Sequence, residues 1–394
     1  MTSVLASICL NVGVHPAVAI SGELPHGEDV TLYTIPTVTG FQKEMGAQVT
    51  LLVRGDELVV NECTLESIAS LSNILAKHLI VCTNKSGAVI GGYQPETDSF
   101  SSPISSPFIQ IMVASALEEY ASLRTSSLRE NARTTASIII DDVEKKFYDH
   151  EAIPVDIAAS TVLLFASSSA PWSNEVQQFM VACKETVLRV SQNTVQNKTL
   201  SEPPHICAIL ALAMSEISIN ASNPEVQKLA EELCLLCIEY IPLESKVSTI
   251  PWLFDAVMLL NANGSALATE TMDELLSISL ASQVTGTKDP DLAGGFFIRS
   301  PDGLVADARG LRMIPMLAKS DSPLARRALP EALRFAIQLT TREARANRFQ
   351  APSFALGGVR ASTWDGAMPT EATAMALLGV VRAIETLQTL PISN

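Results

Sequence analysis

From Pro107 onward, two kinds of apolar pattern alternate along the chain. The first is apolar over almost its whole circumference. It appears as "FIQIMVASAL" after Pro107, "VDIAASTVLLFA" after Pro154, "HICAILALAM" after Pro204, "WLFDAVMLL" after Pro251, "DARGLRMIPML" after Ala306 and "TEATAMALLGVV" after Pro369. The second carries one apolar stripe and one polar face: "TTASIIIDDVEKKF", "EVQQFMVACKETVLRV", "PEVQKLAEELCLLCIEYI", "TMDELLSISLAS" and "LARRALPEALRFAIQL". A helix that is apolar all round is buried, whereas a one-striped helix lies on a surface. The two alternate with a period of roughly 50 residues, the signature of stacked helical hairpins. Six all-apolar helices are enough to close an inner ring. The pattern therefore predicts a mainly α fold, an (α/α)6 toroid over residues 101–394, with long loops before its last two inner helices.

Residues 1–100 read differently. "AVAIS", "VTLYTIP", "QVTLLV", "ELVVNEC" and "LIVCT" are short β-branched runs, and "RGDE" (Arg54–Glu57) looks like a hairpin turn between two of them. One amphipathic helix, "LESIASLSNILAKH", places Ile68, Leu71, Ile74 and Leu75 on one side. This segment reads as a small α+β domain. "QPETDSFSSPISSP" (Gln94–Pro107), rich in Ser and Pro, is its exit linker.

The two long loops share a pattern. Gly294-Gly295 precedes Asp302-Gly303, and Gly357-Gly358 precedes Asp365-Gly366 at the same spacing, GG-x6-DG. Arg299 lies in the first loop and Arg360 in the second, and each loop runs into an inner helix. Glycines permit positive φ and close backbone approach, and Asp-Gly favours a turn. The plainest reading is a shared turn between an outer and an inner helix.

Composition narrows the function. The chain has 394 residues, 47% of them hydrophobic, and a formal net charge of −15. Nucleic-acid binding and docking on anionic lipid both draw on dense positive charge, so neither partner is expected. Arg299 to Arg360 runs against this trend, with eleven basic and five acidic residues. It reads as a solvated basic helix face or as a local anion site. Seven scattered cysteines, with Cys234 and Cys237 as a CxxC inside an apolar helical pattern, suit buried thiols in a reducing, cytoplasmic setting. No metal-ligand spacing or cofactor motif accompanies them. The N-terminus lacks a basic region and is not read as a signal peptide, and no unbroken apolar run suggests a membrane span.

A Gly-Gly-aromatic loop leading into an inner helix, "AGGFFIRSPDG", resembles the terpenoid cyclase and protein prenyltransferase superfamily of six-hairpin barrels. Six-hairpin glycosidases and polysaccharide lyases share that general toroid. The resemblance implies a carbohydrate or isoprenoid-like ligand, bound or transformed at the barrel mouth. The motifs of the active families are missing. There is no Asp-x-Asp-Asp acid motif, "DPD" (Asp289–Asp291) lacking its last acid. Neither His nor Cys stands in the last two repeats to hold zinc.

If the inner helices run parallel, their first turns gather at one mouth. Asp156, His205, Asp255, Asp307 and Glu371 then come together, with Trp252 beside Asp255. The long loops add Arg299, Asp302, Arg360, Trp364 and Asp365. Asp307, Asp365 and Glu371 are the candidate catalytic acids, since carboxylates around an apolar cavity suit acid–base work. The remaining residues are candidate ligand contacts. Acids in a first turn also serve as caps and favour the helix dipole, so the same residues fit a non-catalytic binding or protein-interaction scaffold.

Overall fold

Polar caps and prolines set the helix starts. Ser106, Ser173 and Ser322 each accept a hydrogen bond from a first-turn backbone amide, and Asn223 does the same ahead of Pro224. Thr64 forms a capping box with Ser67. The structure, a computed structural model, describes residues 6–10, 38–42, 50–52, 59 and 63–389, apart from 96, 125, 148–151, 169–170, 222, 266, 268, 286–289, 301–302 and 348. The helices are α1 (Leu65–Val81), α2 (Pro107–Ser122), α3 (Arg129–Phe147), α4 (Val155–Ser167), α5 (Asn174–Asn197), α6 (Pro204–Ala221) and α7 (Pro224–Tyr240). They continue with α8 (Leu243–Ala262), α9 (Thr269–Ser282), α10 (Met313–Lys319), α11 (Pro323–Leu339), α12 (Glu343–Ala346), α13 (Pro352–Ala355) and α14 (Thr370–Thr389). A 3-10 turn, Ala308–Arg312, leads directly into α10.

Helices α2, α4, α6, α8, α10 and α14 form the inner ring, each packed on the next, and α14 returns to pack on α2. The outer ring follows by hairpins: α3 lies on α2, α5 on α4, α7 on α6, α9 on α8 and α11 on α10. The sixth outer position is filled by α1, which packs on α14. The first and last helices of the described chain thus form one hairpin and close the ring. A single buried apolar cluster runs through all six hairpins.

The glycine loops show why α1 belongs there. Gly294, at φ +84, sits against the carbonyl of Glu331 on α11, and Gly295 sits against Phe335 four residues on. Gly357, at φ +81, sits against the carbonyl of Ile74 on α1, and Gly358 sits against His78 four residues on. The two loops make the same approach to consecutive outer helices. The GG-x6-DG repeat is therefore a structural repeat, with α1 in the place that follows α11.

Two readings of the sequence change. "LIVCT" is not a strand: Leu71, Leu75 and Leu79 continue one buried stripe of α1, which ends at Val81. The helix expected to start after Pro251 starts at Leu243, with Pro251 inside it. Proline costs a helix one backbone hydrogen bond but does not forbid it. Asp255 consequently lies twelve residues past Leu243, about 18 Å along the helix, rather than in its first turn. Among the described residues, α6 is long and apolar enough on average to cross a membrane, although Ser215, Glu216 and Ser218 interrupt its apolar run. It is an inner helix of the ring, and most of it is buried.

The strands are few. β1 (Ala6–Leu10), β2 (Val38–Gln42) and β3 (Thr50–Leu52) form an antiparallel sheet. "AVAIS", "VTLYTIP" and "RGDE" lie outside the described residues. β4 (Tyr93–Gln94) pairs with β5 (Ser99–Phe100), and β6 (Phe297–Ser300) pairs with β7 (Gly303–Ala306) as a hairpin ahead of the 3-10 turn. The loops before α10 and α14 are joined by a bridge between Asp307 and Ser362, and Tyr93 pairs with Met368.

Candidate functional site

The axis of the inner ring is hollow. Residues spaced three and four apart on each inner helix face it: Phe108, Met112, Ser115 and Glu119 on α2; Ser160, Leu163 and Ser167 on α4; Met375, Leu378, Gly379 and Arg382 on α14. α6 contributes Ile209 and Leu212, α8 contributes Pro251, Trp252 and Asp255, and the start of the fifth inner helix contributes Arg312, Pro315 and Met316. The empty space among these side chains comes to about 810 Å³ with the adjoining open solvent included, so the enclosed part is smaller. A concave, mostly apolar space of this kind suits a small molecule rather than a folded partner.

One end of this cavity is charged. Arg382 holds Glu119 in a two-pronged pair, with Nε 2.8 Å from Oε2 and Nη2 2.6 Å from Oε1. Its Nη1 donates to Asp255 Oδ2 at 3.1 Å, and Lys319 Nζ donates to Asp255 Oδ1 at 2.8 Å. Glu119, Arg382 and Lys319 all lie toward the C-terminal ends of their helices, so those ends meet here. Burial opposes the charge on Arg382, but Glu119 and Asp255 outweigh it and raise its pKa. Desolvation raises the pKa of Glu216, with Asp255 adding to the effect. Glu385 is raised by desolvation and by the charge of Glu119, and accepts a hydrogen bond from Ser122.

The opposite end gathers the helix starts. The Arg312 guanidinium lies 4.0 Å from the Trp252 ring centre and its Nη2 is 3.4 Å from Met112 Sδ. Desolvation lowers the pKa of Arg312 to about 10, and Glu371 opposes that shift. His205 is lowered by desolvation and by Arg312, against the pull of Glu371 and Asp156. The fields of Asp156, His205, Glu371 and Arg312 therefore overlap at one mouth, as parallel inner helices require.

Of the residues expected from the sequence, Trp252 and Asp255 line the cavity. Asp156, His205 and Glu371 are not among its lining residues, but the charges of Asp156, Glu371 and Arg312 act on His205. The acids Asp307, Asp365 and Glu371 do not converge among the residues that line this cavity. Asp307 caps the 3-10 turn through Arg309 N at 2.9 Å and pairs with the Arg309 side chain at 2.7 Å. Asp365 Oδ1 accepts from Ala367 N at 2.9 Å, a turn-forming contact. Arg360 is 1% exposed, and its guanidinium donates to the carbonyls of Gln338 and Thr363, which pins the loop to the end of α11. Trp364 is half-buried against the apolar core, Arg299 is exposed on β6, and Asp302 lies outside the described residues.

Glu119, Arg312, Lys319 and Arg382 were missed. Glu119 and Arg382 carried a readable signal, since "ASALEEYAS" and "LLGVVRAIE" place charges inside helices that are otherwise apolar all round. The basic excess between Arg299 and Arg360 does not form one patch. Arg309, Lys319, Arg326 and Arg334 each pair with a carboxylate, and Arg360 is buried.

The chain matches no protein-family model and no curated protein sequence. Solved structures do share its fold. A cellobiose 2-epimerase from Spirochaeta thermophila aligns with a TM-score of 0.51 at 14% identity, over 82% of this chain and 98% of its own. An α-1,6-mannanase from a Salegentibacter species aligns at 0.54 and 10% identity, over 81% and 99%. A cellobiose 2-epimerase from Bacillus thermoamylovorans aligns at 0.57 and 8% identity, over 82% and 100%. With the closed double ring of helices, these likenesses give the fold: the chain is an α/α toroid of helical hairpins.

Proposed function

We propose that the axial cavity binds an elongated, largely apolar small molecule of isoprenoid-like character. The observation that carries this reading is the cavity wall. Phe108, Met112, Leu163, Leu212, Met375 and Leu378 present aliphatic, thioether and aromatic surface from α2, α4, α6 and α14. Methionines adapt to irregular apolar shapes. The stripe from Phe108 to Glu119 spans about 16 Å of helix, which fits an extended chain.

A carbohydrate ligand is the second reading, favoured by the mannanase and epimerase neighbours. Sugar sites place aromatic faces and several hydrogen-bonding groups around the ring. Trp252 is the tryptophan of this wall, and Arg312 already covers one of its faces. The apolar ligand is the better fit. Glu119 and Asp255 are the carboxylates that reach this cavity, and both are held in ion pairs. A binding role agrees with that arrangement better than acid catalysis. Calorimetric titration separates the readings: farnesol binds one-to-one and a mannose oligosaccharide does not. Binding of the oligosaccharide alone would overturn the apolar assignment.

A further inference from the structure

We infer that the ligand of this cavity is an amphiphile with one anionic head group, a carboxylate or a phosphate, and that Arg312 binds the head. The inference rests on the reading of the cavity as a site for an apolar chain, and adds to it the chemistry of the ligand's polar end.

Arginine presents five N–H donors in a planar fork matched to carboxylate and phosphate oxygens. Arg312 lines the cavity, yet its contacts are the Trp252 ring at 4.0 Å and the Met112 sulfur at 3.4 Å. A thioether is a weak acceptor and a ring face accepts no fork. Among the described residues no carboxylate lies within ion-pairing distance of Arg312. Arg309, Arg326, Arg334 and Arg382 each have one. The cavity thus holds two arginines, one saturated by two carboxylates and one left open. Glu371 attracts Arg312 from a distance, and Arg382 repels it.

Position supports the same conclusion. Arg312 ends the 3-10 turn and stands at the start of α10, directly after the long loop that leads into that helix. Met112, Leu163, Leu212, Met316 and Met375 continue the wall beside it. A head group at Arg312 would sit in the cavity wall, with these apolar side chains beside it for its chain. The guanidinium already packs on the Trp252 ring before the ligand arrives, so less side-chain order is lost on binding.

The test titrates dodecanol, dodecanoate and dodecyl phosphate, below their micelle concentrations, into the full-length protein and into the Arg312→Gln and Arg312→Lys variants. Melting curves check that each variant is folded. The expected result is that both anions bind the unaltered protein at least about tenfold tighter than the alcohol. Arg312→Gln brings the anions to the alcohol's affinity, and Arg312→Lys keeps part of the preference. The ratio of dodecanoate to dodecyl phosphate identifies which anion the site favours. Equal binding of alcohol and anions, or an anion preference that survives in Arg312→Gln, overturns the inference and leaves the apolar cavity standing. Absence of binding by all three overturns both.

Discussion

His78 is 1% exposed, and its ring is held between two partners. Nδ1 lies 3.2 Å from the Leu356 carbonyl and Nε2 lies 3.5 Å from Cys82 Sγ. The bond network assigns the Nδ1–H tautomer, with the thiol donating to Nε2. Burial pushes the His78 pKa down from 6.5 to about 4, against the Leu356 bond. The folded state then binds fewer protons than the unfolded chain between those values. The stabilising contribution is fully present above pH 6.5 and is lost as pH falls toward 4. Denaturant titrations of the wild type and His78→Gln across that window should differ in pH slope, with a span on the order of 3 kcal/mol; parallel slopes would contradict the assignment. Arg382 gives the second residue-scale prediction. Arg382→Met leaves Glu119 and Asp255 without their shared cation and should lower stability by about 3 kcal/mol, read by urea unfolding. A midpoint equal to the wild type would show that the ion pairs carry no weight. Glu119 and Arg382 are charges set in helices that are otherwise apolar, a signal present in the sequence. Their mutual pairing leaves no such signal, because it joins α2, α8 and α14 across more than a hundred residues.

At the scale of elements, the GG-x6-DG loops carried their meaning in the sequence more openly than any single candidate acid. Their recurrence pointed to a common turn, and the first glycine of each does adopt positive φ against an outer-helix carbonyl. An alanine at Gly294 would bring its Cβ to 1.9 Å from Glu331 O, and one at Gly357 to 2.4 Å from Ile74 O. Gly294→Ala and Gly357→Ala should each destabilise the fold by at least about 2 kcal/mol, from backbone strain and collision together. Thermal melts compare them with Gly264→Ala, where φ is also positive but no atom lies within 4 Å of the new methyl. Equal losses at all three positions would remove the close packing from the explanation. Helix boundaries were less legible. Pro251 looked like a helix start because proline usually is one, yet α8 begins at Leu243 and tolerates it. That shift moved Asp255 from the mouth to the charged end of the cavity.

For the whole molecule, the alternation of all-apolar and one-striped helices gave the count and order of five hairpins. The sixth hairpin was hidden because its two halves lie at opposite ends of the chain, α1 and α14, and no local pattern links them. Closure makes α1 part of the toroid's stability. Removing residues 1–81 should expose the outward face of α14 and lower the melting temperature or abolish cooperative unfolding. Unchanged melting would mean that the ring does not need its sixth outer helix. The cavity exists because all six inner helices surround it, so the central claim concerns what enters there. Tryptophan quenching by a brominated dodecanol tests it most directly, since Trp252 lines the cavity and Trp172 and Trp364 do not. Saturable quenching is expected in the wild type and is largely lost in Trp252→Phe. Quenching that persists undiminished in Trp252→Phe, or that never saturates in the wild type, would contradict it.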